Sequence, residues 1–124
     1  MIFSVPPFWV KSPTEIVQTV NGHSVELTCH VHGVPAPQII WSFAKEKMAD
    51  KYSNLYANNN RTLLANQSLV ISPVDMSDTG YYQCEASNGV GNNINALIAL
   101  QVHGKISNFP IPAGIIIMTN FVFN

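Results

Sequence analysis

The stretch Asp78-Thr79-Gly80-Tyr81-Tyr82-Gln83-Cys84 constrains this chain more than any other. Its aspartate and glycine are turn residues, and the aromatic residues that follow suit a strand. The segment reads as a turn running into a strand that carries a buried aromatic and a cysteine. The only other cysteine, Cys29, lies far upstream, and Trp41 falls between the two. At 124 residues the chain holds one domain, or one domain plus a tail, and it is long enough to bury a core.

The rest of the chain alternates as strands do. Val25, Leu27, Cys29 and Val31 point inward, with Ser24, Glu26, Thr28 and His30 outward. Ile39, Trp41 and Phe43 point inward, with Ile40 and Ser42 outward. Leu69 and Ile71 face in, and Ser68 and Val70 face out. Gly80, Tyr82, Cys84 and Ala86 face in, against Tyr81, Gln83 and Glu85. Ala96, Ile98, Leu100 and Val102 form the inward side of the last strand, with Asn95, Leu97, Ala99 and Gln101 outward. Pro6 to Val10 is an edge strand at most, since proline donates nothing to a ladder. Trp9 is expected to cap the core or to contact a preceding domain. Pro13 breaks the strand, which resumes over Glu15 to Val20. Asn21-Gly22 and Asn88 to Gly91 are turns, and Gly33 to Pro37 is a connection. The polar stretch Lys45 to Asn60 is read as loops around a short strand at Leu55-Tyr56-Ala57. Asp78 is expected to pair with Arg61.

Cys29, Trp41, Leu69, Asp78, Gly80, Tyr82, Cys84, Asn88 and Gly91 together resemble an I-set immunoglobulin domain over residues 6–103. More narrowly, Pro7 to Val10, Gly33 to Gln38 and Gly80 to Gly91 resemble the alternatively spliced seventh immunoglobulin domain of the arthropod Down syndrome cell adhesion molecules. The resemblance implies an all-β, antiparallel sandwich of two sheets. It implies a disulfide between Cys29 and Cys84, Trp41 packed over it, and a Tyr82 hydroxyl bonded back to the chain. Such a bridge stabilises by roughly 4 kcal/mol and belongs to an oxidising compartment. The alternative is a pair of reduced buried thiols, as in intracellular immunoglobulin domains of muscle proteins.

The resemblance also implies homophilic cell adhesion, by antiparallel pairing of identical domains at the surface of a larger membrane-anchored protein. The pairing sheet would hold the first, second, fourth and fifth strands, with Glu26, Thr28, His30, Ser68 and Val70 outward. The residues themselves point to the other sheet, where Ile40, Tyr81, Leu97 and Ala99 are the most apolar outward positions, since contiguous apolar surface marks interfaces. The rival readings are a heterophilic receptor module binding other cell-surface proteins, or a spacer that binds nothing.

Other classes find little support. With 10% charged residues and a net charge of −1, no field draws the chain to nucleic acid or anionic lipid. No Gly-x-Ser-x-Gly elbow and no paired acids suggest an enzyme, and no cofactor is implied. His30 and His32 share one face, yet two imidazoles without further ligands do not make a metal site. Asn60-Arg61-Thr62 and Asn66-Gln67-Ser68 are N-glycosylation triplets. No signal peptide is visible, so the domain is expected to be a piece of something longer. Residues 1–5 are read as an extension and 104–124 as an unstructured apolar tail. The tail is too short and proline-broken to span a membrane. Codons for Gly104-Lys105 and for Ile2-Phe3-Ser4 can carry splice signals, so both ends are expected to be intron read-through around one exon.

Overall fold

A computed structural model describes residues 3–58 and 60–104. The tail expected over 104–124 lies, beyond Gly104, outside the described residues, as do Met1 and Ile2 of the N-terminal extension. Ten strands carry the described fold. They are β1 (Val5–Lys11), β2 (Ile16–Val20), β3 (Val25–Leu27), β4 (His30–Val34), β5 (Gln38–Ala44), β6 (Ser53–Asn54), β7 (Arg61–Leu63), β8 (Leu69–Ile71), β9 (Gly80–Ser87) and β10 (Ile94–His103). A 3₁₀ turn at Met76–Asp78 precedes β9.

One layer is a five-stranded sheet in the order β2-β10-β9-β5-β6. The other is built from β3-β8-β7 and from β1-β4, joined because β3 and β4 are one run of chain interrupted at Thr28-Cys29. All pairings are antiparallel except β10 with β2. The strand breaks at Pro13 as expected, and the structure adds a crossing: β1 pairs with β4 in one layer, and after Pro13 the chain pairs as β2 with β10 in the other. β1 starts at Val5, a residue before the expected boundary, because Val5 pairs with Val34 and its carbonyl accepts from Asn88 Nδ2 at 2.8 Å.

The core lies between the layers. Leu27, Trp41, Leu69, Ile71, Tyr82, Cys84, Ile98 and Leu100 are all buried there. Cys29 and Cys84 form the disulfide, with 6.7 Å between their Cα atoms. Trp41 Nε1 donates to the Gln67 carbonyl at 2.9 Å, which satisfies the one polar atom of an otherwise apolar ring. Trp9 packs against the core edge rather than standing free. The alternation of β9 holds over its full length: Gly80, Tyr82, Cys84 and Ala86 are buried, and Tyr81, Gln83 and Glu85 are half-buried.

Two local expectations are corrected, and one strand was not foreseen. The short strand falls at Ser53–Asn54, and Leu55 follows it with its side chain buried and its N–H bonded to the Trp41 carbonyl at 2.8 Å. Polar Arg61–Leu63 forms β7, because it pairs with the apolar β8. Ser42 points outward from β5 but is buried, its hydroxyl donating to Gln83 Oε1 on the neighbouring strand at 3.3 Å.

Candidate functional site

Two outward faces are candidates, and the turn before β9 positions both layers. In that turn the Tyr82 hydroxyl donates to the Asp78 carbonyl at 2.7 Å, the expected corner. Burial, and after it the nearby Asp78 carboxylate, push the Tyr82 phenol's pKa up, with Arg61 opposing. Gly80 fits because nothing larger does: a Cβ there would lie 2.5 Å from Phe43 Cε1 and 2.8 Å from the Ala44 carbonyl oxygen. The expected pair of Asp78 with Arg61 does not form. Asp78 Oδ2 instead accepts from Asn60 Nδ2 at 3.2 Å and from the Asp75 N–H at 2.8 Å. Arg61 Nε is buried without a hydrogen-bond partner.

The first face is the outer surface of β3, β4, β7 and β8. Glu26 stands opposite Val70, and Val70 opposite Thr62, in one cross-strand row. The next row holds Thr28 and Ser68, and it corrects an expectation. Ser68 is fully buried, with its Oγ 2.9 Å from Thr28 Oγ1. Alternation aims this side chain outward, but a short hydroxyl bonded to its neighbour does not reach the surface. Ser68 is a strut and no part of a contact surface. Thr28 also donates to Glu26 Oε2 at 3.3 Å, which steadies an exposed carboxylate. His30 is exposed and stands opposite exposed Lys11 of β1. Lys11, Glu26, Thr28 and His30 thus line one open groove of about 220 Å³. His32 instead meets Phe8 edge-on, with 6.1 Å between ring centroids.

The second face is the outer surface of β9 and β10. Tyr81 stands opposite Ala99, and Ala99 opposite Ile16 of β2. Tyr81, Leu97, Ala99 and Ile16 line an open groove of about 620 Å³ with Trp9 at its end. Ile40 does not join them. It is exposed beside Glu85, on the far side of β9. Among the described residues no group of three or more His, Cys, Asp or Glu converges as metal ligands would. Asn88 escaped the sequence reading as a fastener. Its Nδ2 donates to the carbonyls of Val5 and Pro35, at 2.8 and 2.9 Å, and so ties the start of β1 and the β4–β5 connection to the turn after β9.

Known proteins agree with this geometry. The family model described as immunoglobulin domain matches residues 6–88. The chain belongs to the immunoglobulin-domain family. This immunoglobulin domain is 34% identical over 101 residues to the cell adhesion molecule Dscam2 of Drosophila melanogaster, covering 82% of this chain and 5% of that protein. It is 31% identical over 112 residues to the cell adhesion molecule DSCAM of Homo sapiens, covering 89% of this chain and 6% of that protein. The chain therefore spans about a twentieth of the length of these relatives. Among solved structures, the eight N-terminal immunoglobulin domains of a Down syndrome cell adhesion molecule match with a TM-score of 0.72 at 30% identity, over 80% of this chain and 12% of that one. A structure on Dscam isoform specificity matches with a TM-score of 0.73 at 23% identity, over 82% of this chain and 25% of that one, and supports the fold. The relatives are adhesion molecules and the family is not enzymatic. No helix among the described residues is long and apolar enough to cross a membrane.

Proposed function

We propose that this domain is a recognition module of a cell-surface adhesion receptor and binds an identical domain on an apposed chain. The binding surface is the first face, through Lys11, Glu26, Thr28, His30 and Val70. One observation supports this reading: the polar residues of the face are spaced so that a two-fold axis can pair them with their own copies. Glu26, Thr28 and His30 alternate along one run of chain, and Lys11 flanks His30. A two-fold axis through Thr28, perpendicular to the strand, sets Glu26 of one copy against His30 and Lys11 of the other. Isologous interfaces need this kind of reciprocity. The similarity to Dscam proteins and the disulfide favour an extracellular setting.

The second face supports a different reading, a heterophilic partner, because its apolar residues are contiguous around the larger groove. Sedimentation of the full chain over a wide concentration range separates the two. A concentration-dependent dimer that Glu26→Lys weakens and Leu97→Lys leaves intact supports the homophilic reading. A dimer broken only by Leu97→Lys moves the interface to the second face. A monomer at every concentration leaves the heterophilic or spacer role.

A further inference from the structure

The two glycosylation triplets stand in opposite structural situations. Asn66 lies exposed in the turn between β7 and β8. Its side chain makes one hydrogen bond among the described residues: Oδ1 accepts from the Ser68 N–H at 3.1 Å. Its Nδ2 is not needed to hold the turn. The backbone bonds Leu64 N–H to Ser68 O, at 2.9 Å, and Gln67 N–H to Leu64 O, at 2.8 Å, do that. So does Gln67, whose Oε1 accepts from the Ile39 N–H at 2.7 Å and whose Nε2 donates to the Pro37 carbonyl at 2.9 Å. Asn60 is half-buried. Its Nδ2 donates to Asp78 Oδ2, a group only 7% exposed, and its carbonyl accepts from the Ser72 N–H at 2.8 Å.

We propose that Asn66 carries an N-linked glycan in the folded domain, and that Asn60 serves instead as the amide donor to Asp78 and stays unmodified. The modification needs an oligosaccharide carried on a polyprenyl diphosphate, the donor class of the secretory pathway. Nδ2 attacks the anomeric carbon. The new N–C bond forms as the C–O bond to the diphosphate breaks, and the diphosphate leaves with the bonding pair. The amide gives one proton to a base on the transferase, and nothing is oxidised or reduced. At Asn66 the sugar projects into solvent and the Oδ1 bond to Ser68 survives. At Asn60 it must wedge beside a carboxylate only 7% exposed, in the space that the Nδ2 contact to Asp78 fills. The sugar on Asn66 begins two residues from Ser68, and so borders the first face at Thr28. The inference goes beyond the recognition reading and does not depend on self-association.

The test is peptide mapping of the full chain secreted from a eukaryotic cell. Enzymatic release of the glycan in heavy-oxygen water converts each occupied asparagine to labelled aspartate. The expected result is label at position 66, none at 60, and loss of the glycan mass in Asn66→Asp, which keeps the oxygen that Ser68 bonds. An unlabelled Asn66, or a labelled Asn60, in the secreted wild-type chain overturns the proposal, whether or not the variant is secreted.

Discussion

Replacing Tyr82 by Phe isolates one atom of the corner that fixes the two layers. The ring is fully buried and the hydroxyl donates to the Asp78 carbonyl at 2.7 Å. Phe keeps the apolar packing and removes the donor, leaving the carbonyl of a buried residue unsatisfied. That costs about 1–3 kcal/mol. At about 1.5 kcal/mol, toward the lower end of that range, the midpoint of thermal unfolding falls by about 6–12 °C for a domain of this size. The same variant carries a second signature in alkali. Burial first, then the Asp78 carboxylate, raise the Tyr82 pKa above its ordinary value of 10.0. A raised folded-state pKa gives stability that is complete below the unfolded pKa and lost as pH rises toward the folded one. The wild type therefore loses stability above pH 10, at a slope that approaches about 1.4 kcal/mol per pH unit, that Tyr82→Phe does not lose. Denaturant unfolding of both proteins between pH 8 and about 11 reads the two effects together. Equal stabilities at pH 8, or parallel alkaline slopes, would refute the reasoning.

Gly80→Ala should destabilise by about 1–3 kcal/mol through overpacking, because the added Cβ meets both Phe43 and the Ala44 carbonyl; thermal unfolding reads it, and an unchanged midpoint would show that the strands slide apart freely. Gln67→Ala deletes two bonds to the start of β5 and should cost about 1–3 kcal/mol. Faster amide exchange at Ile39, measured by NMR, should accompany that loss.

The sequence announced the buried side of each long strand. In β9 and β10 every inward residue lies within reach of the other layer, so a period of two is enough to assign it. The disulfide and the tyrosine corner were legible through the resemblance carried by Cys29, Trp41, Tyr82 and Cys84, and the break of the first strand at Pro13 because proline donates nothing to a ladder; the crossing that follows the break was not. What escaped depends on neighbours distant in sequence. Ser68 and Ser42 point outward as alternation requires, yet Thr28 and Gln83 close over them. β7 is polar and short, and only its pairing with β8 makes it a strand. Asp78 chose the amide of Asn60 over the charge of Arg61, a choice set by side-chain reach within the fold. The candidate faces were legible as sets of outward positions. Their grouping was not: Lys11 joins Glu26 and His30 only because β1 pairs with β4, and Ile40 separates from Leu97 because β9 lies between them.

Self-complementarity of the first face is the central functional claim, and a charge-swap mixture tests it most directly. Glu26→Lys and Lys11→Glu each turn two attractions per dimer into repulsions. At about 1 kcal/mol for each exposed pair reversed, either variant alone should dimerise about 30-fold more weakly. In an equimolar mixture, the lysine introduced at position 26 of one copy meets the glutamate introduced at position 11 of the other. In the reciprocal contact the native Glu26 of the second copy meets the native Lys11 of the first. Sedimentation should then show association restored toward the wild-type level. A mixture that associates no better than either variant alone, or a wild type that remains monomeric throughout, would contradict the account.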